Sequence, residues 1–279
     1  MTDKTSGVIN KKRSIILTIP RMAYAICALF AILAIAGCYQ PTEYPRIVVT
    51  PPSKEKPTLP AVQFQSRIAG TSTQNRPILY TVLGRGQDVT LILAAIHGNE
   101  PAGTSLVRRL AEHLKQNPYL LEGRTVVLLP VANPDGIAYN NRLNANGVDL
   151  NRNFATANRI NNAEFGRTAL SEPETRAIYQ LIQQYNPDRI VSIHQPLGCI
   201  DYDGPGLALA TRMVQYCNLP IKKLGAKPGS LGSYAGLTLG IPIITFEMLS
   251  TDASLSTEGL WQRYGKALLA AIVHPQRVE

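Results

Sequence analysis

A histidine and a glutamate stand three residues apart, His97 and Glu100, in the run Ile96-His97-Gly98-Asn99-Glu100-Pro101. An imidazole and a carboxylate so close together form an N/O donor pair that suits a zinc ion. A catalytic zinc needs one further protein ligand and an open position. So short a motif is unspecific alone, so the third donor must be sought elsewhere. The chain holds only four histidines. His113 falls on the polar side of a predicted helix and His274 lies near the carboxyl terminus, which leaves His194 as the candidate. Glu247 directly follows the apolar run Ile241–Phe246. A carboxylate there is paired, titrated upward by burial, or turned toward a cleft, and those conditions suit a general base. Two arginines, Arg142 and Arg152, bracket most of an Asn-rich stretch that ends at Phe154. Their permanently charged, bidentate guanidinium groups fit an anionic substrate or a developing oxyanion, or else structural salt bridges.

These groups need rigid elements behind them. The hydrophobic run Val89–Ile96 follows a Gly84-Arg85-Gly86-Gln87-Asp88 turn and reads as a buried strand. Gly98 allows a bend, and Pro101 suits the first turn of a helix continued by Leu106, Val107 and Leu110. His97 and Glu100 therefore project from a strand-to-helix corner. Thr125–Val131 reads as another strand, running into an Asn133-Pro134-Asp135-Gly136 turn. Leu150 and Phe154 pin the Asn-rich stretch to a core. Ser171-Glu172-Pro173-Glu174 has capping-box spacing and opens a helix through Ile178, Leu181 and Ile182 to about Tyr185, stopped by Asn186-Pro187-Asp188. Arg189–Ile193 is a short strand that delivers His194 at its carboxyl end. Ile241–Phe246 is a strand whose last step presents Glu247. Strands alternating with helices predict a three-layer α/β/α fold around a mixed, largely parallel twisted sheet, with the site at strand carboxyl ends.

The first 37 residues read as a targeting segment. Lys11, Lys12, Arg13 and Arg21 precede the uncharged apolar stretch Met22–Ala36, the layout of a secretory signal. It closes in Ala36-Gly37-Cys38, which resembles a bacterial lipoprotein processing box with Cys38 as the acylated residue. An uncleaved anchor is the other reading, although the stretch is short for a span. The absence of Asp after Cys38 favours the outer over the inner membrane in lipoproteins of this kind, on the periplasmic face. Residues 38–60 carry six prolines and make a stiff tether. Residues 61–279 are enough for one well-buried domain. Without residues 1–37 the formal charge drops from +9 to +5, with no dense basic run, which argues against nucleic acid as a partner. With Cys27 in the signal and Cys38 as the lipid site, only Cys199 and Cys217 remain, either paired in an oxidising compartment or buried as free thiols.

His97-x-x-Glu100, Asn133-Pro134-Asp135-Gly136, Arg142, Asp149-x-Asn151-Arg152-Asn153-Phe154, His194 and Glu247 occur in an order and spacing that resembles the zinc carboxypeptidase (carboxypeptidase A-like) metallopeptidases, over roughly Phe64 to His274. Within them the phrases Arg142–Phe154 and His194–Pro205 look most like the bacterial murein peptide amidases. The resemblance implies one zinc per chain, held by His97, Glu100 and His194, with Asp149 fixing the ring of His97. It implies Arg142 at the oxyanion, Asn151 and Arg152 on a substrate carboxylate, and Glu247 as the base. The expected reaction is hydrolysis of an amide bond in peptidoglycan-derived peptides, at γ-D-Glu–diaminopimelate, and Asp201 and Asp203 are expected to accept the far amine of diaminopimelate. The membrane partner would be reached through the lipid on Cys38. Digestive relatives carry a tyrosine on a loop ahead of the catalytic glutamate, but Leu224–Ser230 has none and Tyr234 is not assigned that role. Two alternatives remain. One is an acylamino-acid deacylase of the succinylglutamate desuccinylase/aspartoacylase type, which the Asn133–Gly136 turn opposes. The other is a murein-peptide-binding lipoprotein without catalysis, which would need neither Glu247 nor Arg142.

Overall fold

The computed structural model describes residues 65–274. The signal segment, Cys38 and the tether at 38–60 lie outside the described residues. No helix among the described residues is long and apolar enough to cross a membrane.

Seven strands form one sheet: β1 (Gln65–Thr71), β2 (Pro77–Gly84), β3 (Asp88–Ala94), β4 (Arg124–Leu129), β5 (Arg189–His194), β6 (Leu197–Asp203) and β7 (Ile243–Leu249). Their order is β1-β2-β4-β3-β5-β7-β6. The four central strands, β4-β3-β5-β7, run parallel, while β1, β2 and β6 pair antiparallel at the flanks. The expected mixed α/β sheet is therefore present, with its parallel part concentrated at the centre.

Alternation along the central strands sends side chains into two cores. Ile92, Val126, Val191 and Ile244 pack beneath three helices, α1 (Ala102–Gln116), α4 (Leu207–Val214) and α5 (Thr257–Ile272). Leu91, Val127, Ile190 and Ile243 pack on the other side against α3 (Pro173–Tyr185) and the residues around Tyr234. The short α2 (Pro134–Tyr139) caps one end near the site. Helix α1 buries Leu106, Val107, Leu110 and Leu114, the i, i+4 stripe that its sequence predicts.

Several local expectations need correction. β3 ends at Ala94, two residues before Ile96, because Ala95 adopts a left-handed backbone with φ of 53°. Asn133–Gly136 is a helix start rather than a free turn: Asn133 Oδ1 accepts from Gly136 N at 2.8 Å, which caps α2. At α3 the capping box does not form. Ser171 Oγ donates to Glu172 Oε1 at 2.7 Å, and Glu174 is drawn away by Thr73 N and Asn144 Nδ2 at 3.0 Å each. β7 runs past Glu247 to Leu249, so Glu247 stands inside a paired strand and not at its tip. Cys199 and Cys217 are both buried and free. They sit in separate environments: Cys217 Sγ turns to Met213 O at 3.6 Å, and burial pushes its thiol up to about 11.

Candidate metal and catalytic site

The parallel strands end together, and the chemistry collects there. Beyond β3 the chain is held by β4's continuation, with Ala132 N and Asn133 N donating to Ala94 O and Ala95 O at 3.0 and 2.9 Å. Asn133 Nδ2 adds a long contact to Ile96 O at 3.4 Å. Gly98 lies so close to α2 that a Cβ on it would fall 1.9 Å from the backbone carbon of Gly136. The Asn133-Pro134-Asp135-Gly136 segment is thus the socket that seats the His97 loop. On β5 His194 is the last strand residue, and it registers directly with Glu247 on β7.

This arrangement brings His97, Glu100 and His194 together, one donor atom from each lying within 4.8 Å of the others. Glu100 is the centre. Its Oε1 is 2.9 Å from His97 Nδ1 and its Oε2 is 2.9 Å from His194 Nδ1. The opposite nitrogen of each ring is held from outside: His97 Nε2 by Asp149 Oδ1 at 3.1 Å, His194 Nε2 by Ser192 Oγ at 3.0 Å. Both Nδ1 atoms consequently face the same point as the carboxylate. Such anchoring of the distal nitrogen fixes tautomer and ring orientation in metal-binding histidines. The two-nitrogen, one-carboxylate donor set fits a zinc ion with a position left open.

The electrostatics favour a cation. Burial works against the charge on Glu100, but hydrogen bonds from both histidines overcome it and hold its carboxyl well below the usual range. Asp149 is likewise depressed despite burial, through His97 and the two arginines. Burial pulls His97 down, yet Asp149 and Glu100 outweigh it and raise its pKa. Two ionised carboxylates enclosing two imidazoles make a well for positive charge.

Of the predicted site residues other than Cys38, all but one line a cleft of about 230 Å³ around this centre. The exception is Asp149, which lies beneath His97 and holds it. Glu247 is buried, which raises its carboxyl, while His194 opposes the shift. Leu197 N points at Glu247 Oε2 from 3.4 Å. Arg142 donates Nε and Nη2 to Asp149 Oδ2 at 3.2 and 3.0 Å, and Nη1 to Glu100 Oε1 at 3.3 Å. Three of its five N–H groups are spent there, and two remain for the cleft. Asn151 Oδ1 accepts from Leu231 N at 2.8 Å, which fixes the amide so that its nitrogen is the group left to bind a ligand. Arg152 is half-buried, and burial lowers its pKa.

The Asn-rich segment is explained by its backbone. Asn144 bonds Glu172, Glu174 and the amides of Asn146 and Val148. Asn153 accepts from Glu172 N and donates to Phe165 O and Thr168 O. Side-chain amides satisfy loop groups that no ladder can reach. Leu150 and Phe154 are fully buried, as expected.

Sequence reasoning missed Ser192 and Lys227, of which the second lines the cleft. Strand period puts Ser192 on the face of His194, so its contact was readable. A larger concavity of about 650 Å³, bordered by Arg67, Arg85 and Tyr185, contains none of the predicted groups. Chemistry rather than size locates the site.

Comparison with known proteins agrees with this geometry. The zinc carboxypeptidase family profile matches residues 62–200. Murein peptide amidase A of Escherichia coli (strain K12) is 36% identical over 203 residues, 66% of this chain and 81% of that protein. Murein peptide amidase A of Vibrio campbellii is 30% identical over 253 residues, 84% and 91% of the two chains. The crystal structure of murein-tripeptide amidase from Escherichia coli O157 superposes with a TM-score of 0.57 at 29% identity, covering 79% of this chain and 98% of that one.

Proposed function

From a chain that belongs to the zinc carboxypeptidase family and is a hydrolase of the metallopeptidase/amidase class, we propose the cleavage of γ-D-Glu–diaminopimelate in peptidoglycan-derived peptides. The observation that carries the proposal is the convergence of His97, Glu100 and His194 on one point, beside Glu247. The relatives named for murein peptides supply the substrate class.

One zinc ion per chain would be held by His97 Nδ1, Glu100 and His194 Nδ1. Bound zinc is a Lewis acid that lowers the pKa of water to about 7. Glu247 accepts a proton from the attacking water and returns it to the departing amine nitrogen. Burial has raised its affinity for that proton, which suits shuttling. The two remaining N–H groups of Arg142 meet the negative charge that develops on the carbonyl oxygen. The amide nitrogen of Asn151 and the guanidinium of Arg152 bind the carboxylate next to the scissile bond. Asp201 and Asp203 offer acceptors for an amine further along the released residue. Against a deacylase of the aspartoacylase type stand the Asn133–Gly136 socket and the relatives. A binder without catalysis has no use for a buried carboxylate and a spare guanidinium at one centre.

Incubation of the protein with L-Ala-γ-D-Glu-diaminopimelate, followed by mass analysis, should show free diaminopimelate. Release of only C-terminal D-Ala from longer wall peptides would instead make it a carboxypeptidase.

The compartment follows from residues 1–60 alone. We assign the chain to the periplasmic face of a bacterial membrane, the outer rather than the inner, through acyl chains on Cys38. Cys38→Ser should shift the enzyme from the membrane to the soluble fraction, and unchanged membrane retention would remove the lipid anchor.

A further inference from the structure

The metal donors stand beyond β3 and at the end of β5, in the middle of the sheet, while β6 forms one edge of it. A substrate whose released residue extends over β7 and β6 sends its other arm toward the continuation of β4. A second concavity, of about 240 Å³, lies on that side. Gly136, against which Gly98 of the metal loop is seated, forms part of its wall. Arg142 lines the catalytic cleft, whereas its neighbours Asn141 and Leu143 line this pocket. The partition between the two is therefore a single thickness of chain.

The pocket is polar without being charged. No lysine, arginine or histidine among the described residues lines it. Its one ionisable carboxylate, Asp135, already accepts from Ser72 Oγ, Gln74 N and Arg76 Nη1 at 2.8, 2.9 and 2.6 Å. Arg76 Nη1 also donates to Gln74 Oε1 at 2.6 Å, and Asn141 Oδ1 accepts from Leu143 N at 3.1 Å. With both amide oxygens engaged, Gln74 Nε2 and Asn141 Nδ2 are the groups left to a ligand, and both are donors.

Beside them stands Tyr139, an aromatic residue that is 62% exposed. The Arg76 guanidinium lies 5.6 Å from its ring centroid and steadies it. An open aromatic face next to oriented amide donors suits a ring with C–H groups on one side and hydroxyl and acetamido oxygens at its edge. That is the chemistry of a neutral amino sugar. An anion meets no cation here, and an ammonium meets only a carboxylate already spent.

We propose that this pocket is a sugar subsite, and that the preferred substrate is a wall peptide still joined through its amino end to an N-acetylated sugar. The reach fits. The glutamyl residue, the alanine and the linking acyl group between scissile carbonyl and sugar span about three residue lengths, about 10 Å when extended, enough to pass the Arg142 partition. The linking amide consumes the ammonium of the peptide and the acid of the sugar, so the ring arrives without charge. This rests on the amidase reading and deepens it by naming the form in which the substrate is met.

The test measures kcat/KM of the zinc-loaded, full-length protein on L-Ala-γ-D-Glu-diaminopimelate, on its N-acetyl derivative, and on the same peptide carrying N-acetylmuramic acid. The wild type should favour the sugar-bearing peptide over the N-acetyl one by about 10-fold or more, a comparison that separates the ring from mere loss of the ammonium. Tyr139→Ala should lower that ratio about 10-fold. Gln74→Glu keeps an oxygen for Arg76 but removes the donor, and should lower it about 3–10-fold. Cleavage of the N-acetyl peptide should stay as in the wild type in both variants. A wild-type ratio near one, or a ratio that neither variant moves, overturns the sugar subsite and leaves the amidase reading standing. A wild type that cleaves none of the three overturns the amidase reading and the subsite with it.

Discussion

Glu247→Gln should keep its zinc and lose its turnover. A positioned general base contributes about 10²–10⁴-fold, so kcat should fall by that factor, about 3–5 kcal/mol of barrier. The substitution is isosteric, and its amide oxygen still accepts from Leu197 N. The three donors that converge at the site do not include Glu247, so metal content and substrate KM should persist. Stopped-assay kinetics together with metal analysis separate these effects. Turnover within a factor of about ten of wild type would remove Glu247 from the reaction and pass its role to another group.

Zinc should stabilise this domain, and the effect should pass through His194. A ligand at 100 times its Kd adds about 2.7 kcal/mol to the folded state. For a domain of this size that raises Tm by about 5–10 °C. The wild type should show that rise, lose it to a chelator, and lose activity in parallel. His194→Ala removes one of three donors and should abolish both the rise and the retained zinc. Asp149→Asn should bind zinc about 10–100-fold more weakly, the usual cost of losing the partner that orients a ligating histidine. It acts on His97 through a hydrogen bond at 3.1 Å, so its readout is affinity measured by competition with a chelator. A zinc-induced rise in Tm that survives His194→Ala would place the metal elsewhere.

Much of the architecture was legible because its signals are local. A hydrophobic run of strand length followed by an imidazole, at His194 and nearly so at His97, already says strand and then site. The apolar stripe of α1 says which face is buried. Where reading failed, a partner distant in sequence had intervened. The capping box at Ser171–Glu174 lost to Thr73 and Asn144, which took Glu174 for themselves. The extension of β7 past Glu247 depended on pairing with β6, which no window of sequence displays. The two cysteines were undecidable because their separation depends on the packing of β6 and α4.

The candidate donors and the base were named from residue type and position: apolar runs ending in groups too polar to be buried without a purpose. Their distances were not. His97, Glu100 and His194 span about a hundred residues, and only the parallel pairing of β3 with β5 draws them within 4.8 Å. Type and periodicity are written along the backbone, whereas proximity is created when separated faces are buried against each other.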